Sequence, residues 1–482
     1  MHVRLLAYIV GAVIAAVGAS MLLAAAVALG YGEGGDAAGI ALAAALTVGV
    51  GVFAWRVLGK PGMLTTREGF AAVALSWFAV SFFGALPYLF SGAIDGLTNA
   101  FFETAAGFTT TGSSIVPDPG GLGHGILLWR ALTQWLGGMG IIVLSIAILP
   151  ALGVGGVELA RAESPGPRPD RLTPRFRETA KRLWLVYLGF TVAEVVLLTV
   201  GDMTVFEAVA HAFTTMSTGG FGTDAASLGG FSAYSQWVVV LFMAMAGASF
   251  ALHFRALRRP LEYTRSAEFR LYGLILVAAS AFMIVGTWGG PIATVVRDGV
   301  FTAVSLVTTT GYATADFGMW PAALQIAAVG LMFVGGMAGS TAGAVKTYRL
   351  GVLTSASRAD LRRLIHPRGV FVTRLGRDPV SAEIVESVQS FFLLYMFLFM
   401  TGTLLLGVIE SGLGGGLDLV SSASATASAI GNIGPGLGEV GPASNFLAVQ
   451  APGKWLLSVL MIVGRLEIYP VLLLFTRELW RR

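Results

Sequence analysis

Four short Thr- and Gly-rich stretches carry the residue types best suited to handling an ion. The first is Phe108-Thr109-Thr110-Thr111-Gly112-Ser113-Ser114. It recurs as Thr214-Thr215-Met216-Ser217-Thr218-Gly219-Gly220, as Val307-Thr308-Thr309-Thr310-Gly311-Tyr312, and in degenerate form as Thr426-Ala427-Ser428-Ala429-Ile430-Gly431-Asn432. One such stretch is an ordinary helix end or turn. Four of them, at intervals of about a hundred residues, are an internal repeat. Extended Thr-Gly backbone can turn its carbonyls toward a common axis, because glycine adopts angles that a Cβ penalises. A ring of such carbonyls replaces the water shell of a cation. The expected filter comprises Thr110, Thr111, Gly112 and Ser113; Ser217, Thr218, Gly219 and Gly220; Thr309, Thr310, Gly311 and Tyr312; and Ile430, Gly431 and Asn432. Gly112, Gly219, Gly311 and Gly431 are taken as its matching glycines.

Two further features could act on an ion. The run Gly335-Gly336-Met337-Ala338-Gly339-Ser340-Thr341-Ala342-Gly343-Ala344 is poor helix-forming material inside an apolar segment. Small residues also suit close helix packing. Arg465 lies about midway along the apolar segment Trp455–Phe475, a depth at which a charge is costly and faces protein or water. It either lines an ion path or pairs with Glu194 or Glu467, although Glu467, two residues on, points to another helix face. Lys346 lies near the end of its segment and can snorkel.

These residues need a membrane scaffold, and the composition supplies one. The chain has 482 residues, 55% hydrophobic and 12% charged; soluble domains carry about twice that charged fraction. Apolar runs of roughly 20 residues recur from end to end, long enough to span a bilayer. The first, Leu5–Leu29, is too long for a signal peptide and is read as a retained helix. The absence of cysteine excludes disulfides, thiolate metal sites and haem attachment. The five histidines show no metal-ligand spacing.

Of the 31 Lys and Arg residues, nearly all fall in Arg56–Arg67, Arg161–Arg182, Arg255–Arg270, Lys346–Arg377 and Arg477–Arg482. Arg4, Arg130, Arg297, Lys454 and Arg465 are the exceptions. This is topological charge rather than a nucleic-acid surface, and it places both termini in the cytoplasm and the Thr-Gly stretches on the outer side. The expected fold is an all-α membrane protein of about ten spanning helices. Four fused helix–pore-helix–helix repeats surround one pore, preceded by two extra N-terminal transmembrane helices. The boundaries are 1–62 for the N-terminal pair, then 63–160, 161–262, 263–378 (with a broken inner helix) and 379–482 for the repeats. Short pore helices are expected near Asn99–Phe108, Val205–Thr215, Asp298–Val307 and Asp418–Ala427, with Asn99, Asp298 and Asp418 as N-caps. Their C-terminal dipole ends favour a cation at the centre.

The strings Phe101-Phe102-Glu103, Gln134-Trp135-Leu136-Gly137-Gly138-Met139-Gly140, Arg161-Ala162-Glu163, Gly431-Asn432-Ile433-Gly434-Pro435-Gly436 and Gly464-Arg465-Leu466-Glu467, in this order with the Thr-Gly stretches, resemble the Trk/Ktr/HKT potassium-uptake family. The N-terminal helix pair resembles its TrkH-type subunit. The resemblance implies K+ as the transported ion, held at the filter only, with no cofactor on this chain. It implies a homodimer in the prokaryotic inner membrane, surrounded by lipid and gated by a cytoplasmic TrkA-type nucleotide-binding ring. It also makes Gly335, Gly336, Gly339, Ser340, Thr341, Gly343, Lys346 and Arg465 a gate below the filter. In this family a serine at the first filter position goes with sodium permeation, so glycine throughout favours potassium.

Two other functions compete. Glu194, inside a span, suits a Na+- or H+-coupled symporter of the same fold. An intramembrane enzyme finds little support. The Gly339–Gly343 run has Thr341 where a nucleophile elbow needs serine, and neither a Walker A string nor His-Glu-x-x-His occurs.

Overall fold

The computed structural model describes residues 2–59, 65–147 and 174–480. The basic stretch 161–173, with the Arg161-Ala162-Glu163 string, lies outside these described residues, as do the expected boundaries at 62/63 and 160/161.

Length and apolarity make membrane-crossing helices of Val3–Gly30, Gly34–Leu58, Arg67–Ser91, His124–Val143, Glu178–Val200, Ala267–Gly286 and Ala382–Leu413. An eighth span is counted if Ala233–Ala246 and Phe250–Ala256, bent by 99° at their junction, are taken together. The outermost helices carry their apolar side chains outward. Leu393, Phe397, Met400 and Leu404 are all exposed on the Ala382–Leu413 helix, a stripe suited to lipid rather than to a protein core. The first two helices instead meet through small residues. A Cβ on Gly11 would run into the backbone of Gly51 and Trp55, so that pair packs backbone to backbone.

Four short helices lie at the centre: Leu97–Phe108, Val205–Met216, Ile292–Val307 and Leu419–Gly431. Nearly every residue in their C-terminal halves is buried. They are too short to span, and protein encloses them as interrupted helices at membrane depth require. The expected N-caps hold only in part. Asp418 does cap its helix, accepting from Ser421 N–H at 2.7 Å. The second helix is capped by Thr204 and Glu207 in a reciprocal capping box. Asn99 sits inside the first turn and donates to Asp95 O. Asp298 lies well inside its helix, which begins after Pro291, and its carboxylate takes Arg297 and Thr314 instead.

Three inner segments are interrupted. The third, expected to be broken around Gly335–Ala344, is helical over Ala322–Leu331 and Thr347–Ile365 with a loop between. The second is helical over Ala233–Ala246 and Phe250–Ala256 and breaks at residues 247–249. The fourth, expected over Trp455–Phe475, ends its helix at Arg465 and resumes at Tyr469 after Glu467 and Ile468 take left-handed angles. Arg465 therefore closes a helix rather than sitting midway along one.

Candidate functional site

The same backbone conformation recurs after each short helix. Thr110, Thr218, Thr309 and Asn432 have φ of 52°, 55°, 57° and 54°. Two residues further on, Gly112, Gly220, Gly311 and Gly434 have φ of 81°, 78°, 80° and 119°. A left-handed angle costs a non-glycine residue about 1–2 kcal/mol, so four at matching places are imposed by the surroundings. This corrects the expected register. Gly220 and Gly434, not Gly219 and Gly431, correspond to Gly112 and Gly311. Gly219 takes the central place alongside Thr111, Thr310 and Ile433, while Gly431 ends its helix. The pattern follows the backbone unit of a left-handed residue, any residue, then glycine, and not the Thr/Ser letters.

The central residues turn their N–H groups back to the helix they follow. Thr111 N donates to Ala106 O at 2.8 Å, Gly219 N to Thr214 O at 2.8 Å, Thr310 N to Ser305 O at 2.9 Å and Ile433 N to Ser428 O at 3.1 Å. Their carbonyls are thereby left facing one another across segments. A Cβ on Gly112 would overlap Gly219 O, one on Gly220 would overlap Thr310 O, and one on Gly311 would overlap Ile433 O. One on Gly434 would lie 3.0 Å from Thr111 O. The order runs first to second, third, fourth and back to first, so the ring closes. Among the described residues no protein donor reaches the carbonyls of Thr111, Thr310 or Ile433, whereas Gly219 O accepts from Gln134 Nε2 at 2.9 Å. All four glycines line one cavity of about 160 Å³. Ser113 Oγ to Gly434 O (2.8 Å) and Asn432 Nδ2 to Thr111 Oγ1 (3.0 Å) stitch the fourth segment to the first.

The 332–346 loop packs against the helix ends of the ring. Gly343 N donates to Thr309 Oγ1 at 2.8 Å, Ala344 N to Gly431 O at 3.0 Å and Thr341 Oγ1 to Met216 O at 3.1 Å. Its other side uses the break in the second inner segment. Met337 N donates to Gly247 O, Thr341 Oγ1 to Ala246 O, and Phe250 N to Gly339 O. The backbone groups released by one broken helix are satisfied by the other, as buried backbone demands. Gly335 and Gly339 take φ of 76° and 77°, and Gly336 admits no Cβ because Gly247 O stands against it. Ser340 Oγ folds back on Met337 O, and Glu268 accepts Ala338 N–H at 2.6 Å.

Arg465 is 2% exposed and makes no ion pair among the described residues. It donates to Thr341 O at 2.6 Å and to Gly137 O at 3.5 Å. Neither expected carboxylate partners it. Glu467 pairs with Lys346 at 3.2 Å and with Arg349, whose guanidinium stacks 3.9 Å over Phe391. Lys346 is thus buried and ion-paired rather than snorkelling. Glu194 is fully buried, and among the described residues neither carboxylate oxygen makes a hydrogen bond of ordinary geometry.

A family model described as TrkH, cation transport protein, matches residues 42–270 and 275–481. The chain belongs to the TrkH family. It is 38% identical over 491 residues to the Trk system potassium uptake protein TrkH of Salmonella typhimurium, covering 100% of both chains. It is 39% identical over 458 residues to the Trk system potassium uptake protein TrkI of Halomonas elongata, covering 93% of this chain and 91% of that one. The crystal structure of the potassium transporter TrkH from Vibrio parahaemolyticus superposes with a TM-score of 0.91 at 35% identity, covering 100% of both chains. TrkH-family membership makes this an integral membrane protein of a transporter family, not an enzyme.

Several site residues escape a reading of the sequence. Gly434 has the required spacing from Asn432 but lies beyond the Thr-Gly letters. Gln134, Glu268 and Arg349 act on backbone or charges far away in the chain, and their own neighbourhoods give no signal of it.

Proposed function

We propose that this chain is the ion-conducting membrane subunit of a potassium-uptake system, working as a K+-selective, Rb+-permeable channel with a backbone-carbonyl filter. The closed ring of Thr111, Gly219, Thr310 and Ile433 carbonyls against the next segment's glycine carries this reading. Such a ring offers a dehydrated cation the oxygens it loses from water, and the relatives are named as potassium uptake proteins. Each segment belongs to one of four repeats around one pore. The corrected register keeps glycine at all four positions, which is the potassium-favouring pattern. The 332–346 loop is the gate. It fills the space at the inner helix ends, and Arg465 holds it there by a charge-assisted hydrogen bond.

The charge bias supports both termini and the basic segments on the cytoplasmic side of the plasma membrane. There the chain forms a homodimer and docks a TrkA-type nucleotide-binding ring, a partner consistent with relatives that are named as part of a Trk system. Purified protein in liposomes should take up Rb+ and exclude Na+, and equal uptake of both would refute the filter. Glu194, buried and without an ion-pair partner among the described residues, supports a second reading as a Na+- or H+-coupled symporter. A reversal potential that shifts with an imposed Na+ or H+ gradient would favour it.

A further inference from the structure

Glu103 and Arg130 form a buried ion pair that no step above uses. Arg130 Nε and Nη2 both lie 2.9 Å from Glu103 Oε1, and the two residues are 2% and 0% exposed. The remaining contacts run directly into the ring. Glu103 Oε2 accepts Ile115 N–H at 2.9 Å, and Ser114 Oγ lies 3.0 Å from Glu103 Oε1. Arg130 Nη2 donates to Ser114 Oγ, and Nη1 donates to Gly222 O, both at 3.1 Å. The guanidinium sits 4.3 Å over the Phe221 ring. One side chain therefore grips the chain just after the first filter glycine and just after the second. One turn further along the same helix, Gln134 holds Gly219 O and Phe221 N–H.

Two properties set this pair apart. Nine residues before their glycines, the other segments carry His211, Thr302 and Ala425 where the first carries Glu103, so the carboxylate is confined to one junction of the ring. Arg130 also lines the cavity that all four glycines share. A guanidinium there would repel an arriving cation unless an adjacent carboxylate cancelled its charge.

We propose that Glu103 and Arg130 are a positioning pair for ion discrimination. They fix the spacing of the first and second filter segments, and the carboxylate neutralises Arg130 at the mouth of the ring. This rests on the filter reading above.

The test uses full-length protein in liposomes, with the K+/Na+ permeability ratio taken from reversal potentials and folding checked by melting. Glu103→Gln should lower K+ flux about tenfold, the equivalent of about 1.4 kcal/mol, and lower the permeability ratio. Arg130→Gln should retain flux, become sensitive to block by external Mg2+, and also lose discrimination. The double variant Glu103→Gln/Arg130→Gln restores neutrality without the tie, so flux should return while the ratio stays low. If a single variant fails to fold, the double variant, which leaves no buried charge unpaired, gives the decisive ratio. Folded variants with a wild-type ratio would reduce the pair to a structural role and overturn the proposal. Gly112→Ser serves as the control. A shift there without one at the pair refutes the pair alone, and no shift at Gly112 refutes the filter and the pair together.

Discussion

Arg465 closes on the carbonyl oxygen of Thr341 at 2.6 Å, across 124 residues of chain. On the proposed gate reading, a cation bound to the loop's own backbone acts as a latch, and charge-assisted hydrogen bonds of this kind contribute about 1.5–3 kcal/mol. Arg465→Gln should therefore raise K+ flux per folded molecule roughly tenfold or more, with the melting temperature little changed. The chain has no cysteine, so Ala338→Cys reports the loop without background labelling. Thiol labelling there should speed up in the Arg465→Gln background. Unchanged flux and unchanged labelling in a folded variant would show that the latch does not hold the gate.

The ring register gives a paired prediction. Gly434 needs its φ of 119° and faces Thr111 O, whereas Gly431 ends a helix and would meet mainly the Ile433 side chain and Met332 O. Gly434→Ala should lower the K+/Na+ permeability ratio, because a Cβ disfavours that angle and displaces the carbonyl. Gly431→Ala should cost stability with little change in the ratio. The reverse result would restore Gly431 as the filter glycine.

Glu467 carries two cations, Lys346 and Arg349, all three nearly buried. Removing its charge leaves both cations unpaired away from water, a loss of about 3–5 kcal/mol. Glu467→Gln should thus lower the melting temperature markedly. Adding Lys346→Met to it should recover part of the loss, since one orphaned charge is then removed. No recovery would place the cost in Arg349 alone.

Outside the spans, Asp202 ties two segments together by accepting from Ser232 N–H at 2.7 Å, Ser232 Oγ at 2.6 Å and Ser235 Oγ. Burial alone would raise its pKa. The hydrogen bonds from Ser232 and Ser235 outweigh that and hold it below the ordinary 3.8. A carboxylate whose pKa is lowered in the folded state stabilises fully above its unfolded value and less as pH falls through its folded value. Asp202→Asn should therefore lower the melting temperature at neutral pH and flatten its decline between about pH 5 and pH 3. An identical pH profile in the variant would assign the acid loss to other groups.

Much of this architecture is legible in the sequence, because spans and re-entrant stretches follow from hydropathy and recurrence. The register of the fourth segment is not. Asn432 shares the left-handed angle of Thr110 but not its side chain, so the recurrence of Thr-Gly letters does not mark it. The break at Gly247 is also hidden, since Ala244-Met245-Ala246-Gly247-Ala248 is ordinary helical composition with one glycine. What opens that helix is the 332–346 loop, whose N–H groups and Thr341 hydroxyl take its carbonyls from about ninety residues away. Arg465 has carboxylates within sequence reach, yet its partner is the main-chain oxygen of Thr341, and every residue carries one.

The loop's hydrogen bonds carry a cost that appears only when it moves. Withdrawing it strips donors from the carbonyls of Met216, Ala246, Gly247 and Gly431 and from the hydroxyl of Thr309 at one stroke. Inside a bilayer such oxygens must be met by water or by a cation. If the loop is the gate proposed above, an open path is a wetted path lined by newly exposed oxygens, and a K+ that enters it helps to keep it open. Permeant ion and gate are in this sense competitors for the same acceptors, so raising internal K+ should prolong opening even when nothing outside the membrane has changed.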